Sequence, residues 1–271
     1  MKLRMTQWAA ALLAGLVVWG TAQAGRPCET RPPEALNVQR ALGLAERTSM
    51  ALEATGAQVV VLARNGQDLS IYRLKWSHLG LAYREVGLVR DGVAGPPVWR
   101  VVHKLNECGS ARGDLYRQGL GEFFLDDLFE FKAGWAVPPT AVQERLLLVL
   151  RDKQRLAQLH TAAYNLVAYP WAVKYQQSNQ WAIETLALAE EPGVDSRERA
   201  QAWLAFKGYA PAVLHLSAMT RLGARMTAAN VAFDDHPNDK RYSDRIETVT
   251  VDSVFDWLER SRLAGKVQVL R

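Results

Sequence analysis

The chain lacks three features that would place it in a specialised class of protein. It has no dense run of lysine and arginine, which argues against a nucleic-acid partner even though the formal net charge is +5. It has no internal repeat and no low-complexity linker, and its apolar segments are spread too evenly for two separate cores. After residue 19 it has no apolar run of about 20 residues, the length that a membrane span requires.

The first 24 residues are expected to be a secretory signal peptide. Lys2 and Arg4 give a basic start, an apolar stretch runs from Trp8 to Trp19, and small residues close the segment at Ala24. The apolar stretch is short for a membrane span. We therefore expect cleavage after Ala24 and an exported chain of 247 residues (271 minus 24) with no stable membrane span. In a Gram-negative source this chain would be periplasmic.

The chain contains two cysteines, Cys28 and Cys108. In an oxidising compartment this even number predicts a disulfide that ties the N-terminal arm to the core. The alternative is that Cys108 is a free catalytic thiol.

The order of helix and strand signals predicts one α+β domain over residues 25–271, in which an antiparallel β-meander packs against helices. Its core is expected at about 57–190, and a helical C-terminal extension at about 195–271. An Asn65-Gly66 turn is expected to join the first strand to a returning strand. The expected strands are 57–63, 69–74, 78–83, 86–90, 98–105, 246–251 and 267–270. The expected helices are 35–54, 140–160, 179–190, 197–206, 212–226 and 255–262.

Two of the five histidines, His78 and His103, fall on strands of the meander that are expected to lie close together. In the stretch SHLGLAY, His78 alternates with Gly80 and Ala82, so small residues share its face of the strand. This pattern predicts open space beside the imidazole of His78.

In KYQQSNQWAIETLALAEE, a cluster of polar residues immediately precedes a predicted helix. Ser178 lies at the helix start, where developing negative charge is favoured. A serine and two histidines are the components of a nucleophile, base and orienter relay. The alternative is that Ser178 only caps the helix. A capping box would need Glu or Gln at position 181, where the chain has Trp181.

The succession of His78 in SHLGLAY, His103 in VVHKL and Ser178 in SNQWAIE resembles the permuted NlpC-type peptidases of the papain-like superfamily. The resemblance covers roughly residues 57–190. It implies a permuted papain-like core in which His78 is the base, His103 orients it and Ser178 is the nucleophile. It further implies a groove lined by Asn179 and Gln180, to which we add the aromatic side chains Trp76 and Tyr175.

This resemblance leaves two functions open, because the superfamily's nucleophile is ordinarily cysteine and position 178 is serine. One is an amide or ester hydrolase, or an acyltransferase, acting on peptidoglycan peptides or lipid-linked acyl groups in the cell envelope. The other is a non-catalytic binding protein that uses the same groove.

A second resemblance covers most of the exported chain. The strings YQQSNQWAIETLA, VAFDDHP and TVTVDSVFDWL are similar to an exported bacterial family of unknown function. This resemblance implies no particular reaction and identifies no particular protein partner, so protein partners stay unknown.

The segment FDDHPNDK offers a third site. Asp234, Asp235, His236 and Asp239 are ligand types that suit zinc or manganese, which would make the protein a metal-dependent hydrolase. The alternative is that these residues only form a surface loop, in which Asp and Asn are common. Because no second cluster supplies further ligands, we expect neither a metal nor another cofactor, and Asp235 and His236 are weak candidates.

Overall fold

The computed structural model describes residues 34–87, 89–90, 93–126 and 128–271. The expected signal peptide and Cys28 lie outside these residues, so the predictions made for them stay predictions. The helices are α1 (Ala35–Ala54), α2 (Leu120–Phe124), α3 (Thr140–Arg151), α4 (Lys153–Ala157), α5 (Ser178–Glu190), α6 (Arg197–Phe206), α7 (Ala218–Thr227), α8 (Asn238–Tyr242) and α9 (Val251–Arg260). The strands are β1 (Val59–Asn65), β2 (His78–Glu85), β3 (Val89–Arg90), β4 (Val93–Ala94), β5 (Val98–Asn106), β6 (Gly113–Gly119), β7 (Glu130–Ala136), β8 (Ala212–His215), β9 (Arg245–Thr248) and β10 (Gln268–Leu270).

The prediction of an α+β fold is confirmed. Six strands form an antiparallel sheet in the order β10-β7-β1-β2-β5-β6, with helices on both faces. Two small two-stranded sheets, β3–β4 and β8–β9, accompany it. None of the helices within the described ranges is long and apolar enough to cross a membrane.

The alternation of side chains along β2 and β5 divides the interior into two hydrophobic layers. The register pairs Leu81 with Val102 and Ala82 with Val101, so these two pairs point to opposite faces of the sheet. Leu81 and Val102 pack in one cluster with Trp181 of α5, which we call the α5 layer. Ala82 and Val101 pack in another cluster with residues of α1 and α2, which we call the α1 layer.

The hairpin predicted at Asn65-Gly66 is wrong. Residues 70–72 form a short 3₁₀ turn, and β1 pairs with β2 through contacts such as Val59 opposite Tyr83. The other edge of β1 is occupied by β7. Because both edges of β1 are taken, the segment 69–74 has no strand to pair with.

Two predicted helices are divided by side chains that cap a new helix. The helix expected over 140–160 breaks at Asp152, whose carboxylate accepts hydrogen bonds from the backbone N–H groups of Gln154 and Arg155 and so starts α4. The helix expected over 212–226 is instead strand β8 followed by α7, which Ser217 caps. Residues 212–215 form a strand rather than part of the helix because their backbone groups pair with β9.

The C-terminal residues join the main fold rather than forming a purely helical extension. Strand β10 pairs with β7, with Val269 opposite Gly134. Trp257 and Leu258 of α9 are buried in the α5 layer. Helices α1 and α6 have the bounds that the sequence predicts.

Candidate functional site

Three polar side chains form a continuous hydrogen-bonded row on the α1-layer side of the sheet. His78 Nε2 lies 2.7 Å from His103 Nδ1, and His103 Nε2 lies 2.8 Å from Gln118 Oε1 on β6. Because the amide oxygen of Gln118 accepts, His103 carries its proton on Nε2 and its Nδ1 accepts from His78 Nε2–H. We call His78, His103 and Gln118 the histidine chain. The predicted closeness of the two histidines is therefore found, whereas Gln118 was not predicted because its role depends on the pairing of β5 with β6.

His103 is held in its neutral form. Its side chain is buried, and burial together with the charge of Arg64 lowers the pKa of His103 to about 3, although the hydrogen bond to Gln118 opposes this shift. A neutral imidazole of fixed tautomer can orient His78 but cannot itself take up a proton near neutral pH. His78 at one end of the histidine chain and Gln118 at the other are each only partly buried.

The space predicted beside His78 is filled from the α1 layer. The ring centroid of Phe123 on α2 lies 5.2 Å from that of His103 and 6.0 Å from that of His78. A Cβ atom added at Gly80 would lie 2.5 Å from Val101 Cγ1 and 3.4 Å from the Phe123 ring. Glycine at position 80 therefore allows the close approach of these two side chains, and the space directly over Gly80 is closed to a ligand.

Arg64 lies on β1 beside His78 and links α2 to the sheet. Its guanidinium carbon lies 4.8 Å from the centre of the Phe123 ring, and it donates hydrogen bonds to the Phe123 carbonyl and, at 2.5 Å, to the Asp126 carboxylate. A buried arginine with these partners fixes α2 over the histidine chain and adds positive charge to the site.

Ser178 lies on the other face of the sheet. Its hydroxyl is 3.1 Å from the hydroxyl of Tyr164, and the Tyr164 ring lies 5.8 Å from Nζ of Lys104. Lys104 follows His103 on β5 and so points away from it. The α5 layer, which contains Trp181 one turn after Ser178, covers this face. The expected contact of Ser178 with His78 is wrong, because the two side chains approach the sheet from opposite sides.

The polar residues 176–180 at the start of α5 are buried, and their hydrogen bonds fix the first turn of the helix. Gln177, and not Ser178, caps α5: its side-chain oxygen accepts from the backbone N–H of Asn179, while its Nε2 donates to the Val249 carbonyl at 2.6 Å. Asn179 Nδ2 also donates to Val249, and Gln180 Nε2 donates to the carbonyl of Pro170 at 3.3 Å. The amide groups of Asn179 and Gln180 therefore bind the neighbouring backbone rather than presenting a groove.

The two aromatic residues expected to line the groove lie away from the histidine chain. Trp76 is buried in the α5 layer, where its ring contacts Phe255 and lies 4.9 Å from the ammonium of Lys132. The Tyr175 hydroxyl donates a hydrogen bond to the Asp234 carboxylate at 3.5 Å. Neither ring faces His78, because one packs into the core and the other lies against an acidic loop.

A buried charged network, which was not predicted, surrounds the segment before α5. The Glu184 carboxylate accepts from Arg197 Nε at 2.8 Å and from Gln176 Nε2 at 2.6 Å. The Gln176 oxygen in turn accepts from Lys104 Nζ at 3.0 Å. Burial and the nearby Arg197 lower the pKa of Lys104 to about 7. The four side chains of this network lie on α5, α6, β5 and a loop, so no local sequence pattern predicts it.

Asp235 and His236 form a buried structural pair. His236 Nδ1 is 3.0 Å from Asp235 Oδ1, and its Nε2 is 2.9 Å from the Glu247 carbonyl oxygen. Both ring nitrogens lie within hydrogen-bond distance of protein oxygens, so neither is directed at an open position for a metal. The other Asp235 oxygen accepts from the backbone N–H of Tyr169 at 2.8 Å. The described part of the chain contains no cluster of three or more His, Cys, Asp or Glu side chains that could hold a metal ion.

The predicted Cys28–Cys108 disulfide involves one residue outside the described ranges. Within those ranges there is no free cysteine, which argues against Cys108 as a free catalytic thiol. The bridge to Cys28 stays a prediction.

Comparison with known proteins identifies a family but no characterised relative. Neither a curated protein nor a solved structure matches the chain. A family model described as "Uncharacterized protein conserved in bacteria (DUF2145)" matches residues 51–258, which is most of the chain. The chain therefore belongs to this bacterial DUF2145 family.

Proposed function

We propose that this chain is an exported cell-envelope protein that binds peptidoglycan peptides at His78 without covalent attack by Ser178. The separation of Ser178 from the histidine chain by the sheet carries the proposal. The resemblance to permuted papain-like peptidases supports the envelope location and the peptide ligand, and the antiparallel sheet with flanking helices is compatible with that framework.

Ser178 is poorly placed to act as a nucleophile. A serine needs a base within hydrogen-bond reach and needs access to substrate. Ser178 is 4% exposed, and its hydroxyl partner is Tyr164. Burial raises the pKa of Tyr164, so the phenol keeps its proton at neutral pH and cannot take the proton of Ser178.

His78, by contrast, has the properties of a recognition residue. Its imidazole is partly exposed and held in one orientation by His103. His78 beside the guanidinium of Arg64 would favour a carboxylate, a group that peptidoglycan peptides carry.

Cosedimentation with purified peptidoglycan sacculi tests this proposal. The wild-type protein and Ser178→Ala should pellet equally with the sacculi and release no soluble fragments. His78→Ala should stay in the supernatant. His215→Ala, which alters an exposed histidine on β8, is the matched control and should pellet like the wild type. Release of soluble fragments that disappears in Ser178→Ala would show catalysis by Ser178 and reject the proposal, and equal pelleting of His78→Ala would reject the site.

The histidine chain itself favours a second candidate, hydrolysis of an amide or ester bond by a water molecule that His78 deprotonates. A base oriented by a second group, which is oriented by a third, is the arrangement that general-base catalysis uses. In the same sacculus assay, hydrolysis would release soluble fragments from the wild type and from Ser178→Ala, but not from His78→Ala. The absence of fragments with every variant would exclude this candidate.

A further inference from the structure

Helix α7 presents its apolar side chains outward. Met219, Leu222 and Met226 are 76%, 53% and 65% exposed. Their spacing of three and four residues places them on one face of the helix. The opposite face, with Arg221 and Ala224, is the half-buried side that contacts the protein. This is the reverse of an ordinary surface helix, whose apolar stripe faces the core.

Polar contacts at its first turn hold α7 in this orientation. Ser217 caps the helix, and its hydroxyl accepts from the backbone N–H of Thr220. Arg221 donates hydrogen bonds to the Leu216 carbonyl and to the Asp244 carboxylate, with which it forms an ion pair. Since no residue of α7 is buried, packing of the described residues does not use its apolar stripe.

The charge around the stripe has one sign. Residues 216–233 contain two arginines, Arg221 and Arg225, and no aspartate or glutamate. Arg221 is paired with Asp244, whereas Arg225 is exposed on the flank of the stripe. Two copies of α7 packed face to face would bring their Arg225 side chains together with no acidic residue on either helix to balance them. An anionic surface, in contrast, complements both the stripe and its flank.

We propose that α7 is an interfacial helix that docks reversibly on a surface of anionic phospholipid. The side chains of Met219, Leu222 and Met226 would enter the boundary between headgroups and acyl chains, and Arg225 would contact lipid phosphates. Three apolar side chains give a weak, reversible attachment that keeps the protein at the membrane without anchoring it permanently.

Vesicle cosedimentation tests this docking with the chain purified from exporting cells. One set of vesicles contains equal parts of phosphatidylcholine and phosphatidylglycerol, and the other contains phosphatidylcholine alone. The wild type should pellet with the anionic set and much less with the neutral set. The triple variant Met219→Ser/Leu222→Ser/Met226→Ser should bind the anionic vesicles at least roughly tenfold more weakly. Arg225→Gln should weaken binding to the anionic set only, and added salt should reduce that difference.

The control is Phe206→Ser, which removes a side chain that is 83% exposed on a different helix, α6, and should bind like the wild type. All substituted side chains are exposed, so thermal melts should show that the variants stay folded. The proposal is overturned if the triple variant binds as the wild type does, or if both vesicle sets bind equally. It is also overturned if vesicles do not bind and the triple substitution converts a dimer into a monomer in sedimentation velocity, which would assign the stripe to a second copy of the chain.

Discussion

Replacement of Glu184 with leucine is expected to destabilise the fold by roughly 3–5 kcal/mol, because it leaves the charge of Arg197 buried without its carboxylate. The side chains of Glu184 and Arg197 are 0% and 7% exposed, so solvent cannot take over the lost interaction. At this size of domain, the loss corresponds to a fall in melting temperature of roughly 6–20 °C.

The magnitude follows from the contacts of the carboxylate. Glu184 accepts four hydrogen bonds: two from Arg197, at 2.8 and 3.1 Å, one from Gln176 at 2.6 Å and one from Gln201 at 2.9 Å. Leucine has a similar volume but accepts none of them. Arg197 retains the carbonyl groups of Val173 and Tyr175 as acceptors, which limits the loss to that of one buried ion pair.

Urea unfolding at neutral pH, followed by circular dichroism, measures this loss. The matched control is Asp195→Ala, which breaks the ion pair of Asp195 with Arg199, where both side chains are more than half exposed. This surface pair should contribute less than about 1 kcal/mol. The double variant Glu184→Leu/Arg197→Leu should be less destabilised than the sum of its single variants. If Glu184→Leu costs no more than Asp195→Ala, the network does not stabilise the segment before α5 and the reasoning fails.

Two further predictions concern the titration of His103 and the packing around Gly80. The pKa of His103 is about 3 in the folded protein and near 6.5 when unfolded, so the unfolded chain binds a proton that the folded chain does not as the pH falls below 6.5. Stability should therefore drop by roughly 2 kcal/mol between pH 7 and pH 5 through this group alone. Urea titrations should show this drop diminished in His103→Gln but unchanged in the exposed-site control His215→Gln, and an unchanged drop in His103→Gln would contradict it. Gly80→Ala should destabilise by about 1–3 kcal/mol because the new Cβ lies 2.5 Å from Val101 Cγ1. Gly223→Ala, where the added Cβ meets nothing within 4 Å, should instead stabilise α7 slightly, and similar melting temperatures for the two variants would refute the packing argument.

The fold class could be read from the sequence because it depends on local periodicity. The helical periods of residues 35–54 and 197–206 are complete within their own segments, and α1 and α6 match them. The hairpin at Asn65-Gly66 failed for the opposite reason. A turn signal states that the chain can reverse there, but it does not state whether β1 has a free edge.

The site was predicted in part for the same physical reason. The closeness of His78 and His103 was expected because both lie on strands of one meander, and the structure joins them at 2.7 Å. They meet because β2 pairs directly with β5, whereas the strand predicted at 86–90 is reduced to β3, which pairs with β4 in a separate sheet. The positions of Gln118 and Ser178 relative to the histidines depend on contacts between segments that are distant in the sequence. Gln118 reaches His103 only because of the register of β5 with β6. Ser178 cannot reach His78 because α5 packs on the opposite face of the sheet.

By itself, the sequence determined the α+β class, most of the segments that form helices and strands, and the placement of both histidines on strands of one meander. It did so because these properties arise from side-chain periodicity and from the order of neighbouring elements along the chain. The tertiary structure alone decided which polar residues meet across the sheet. A strand has two faces, and only the packing of α2 on one face and α5 on the other places the histidine chain and Ser178 on opposite sides.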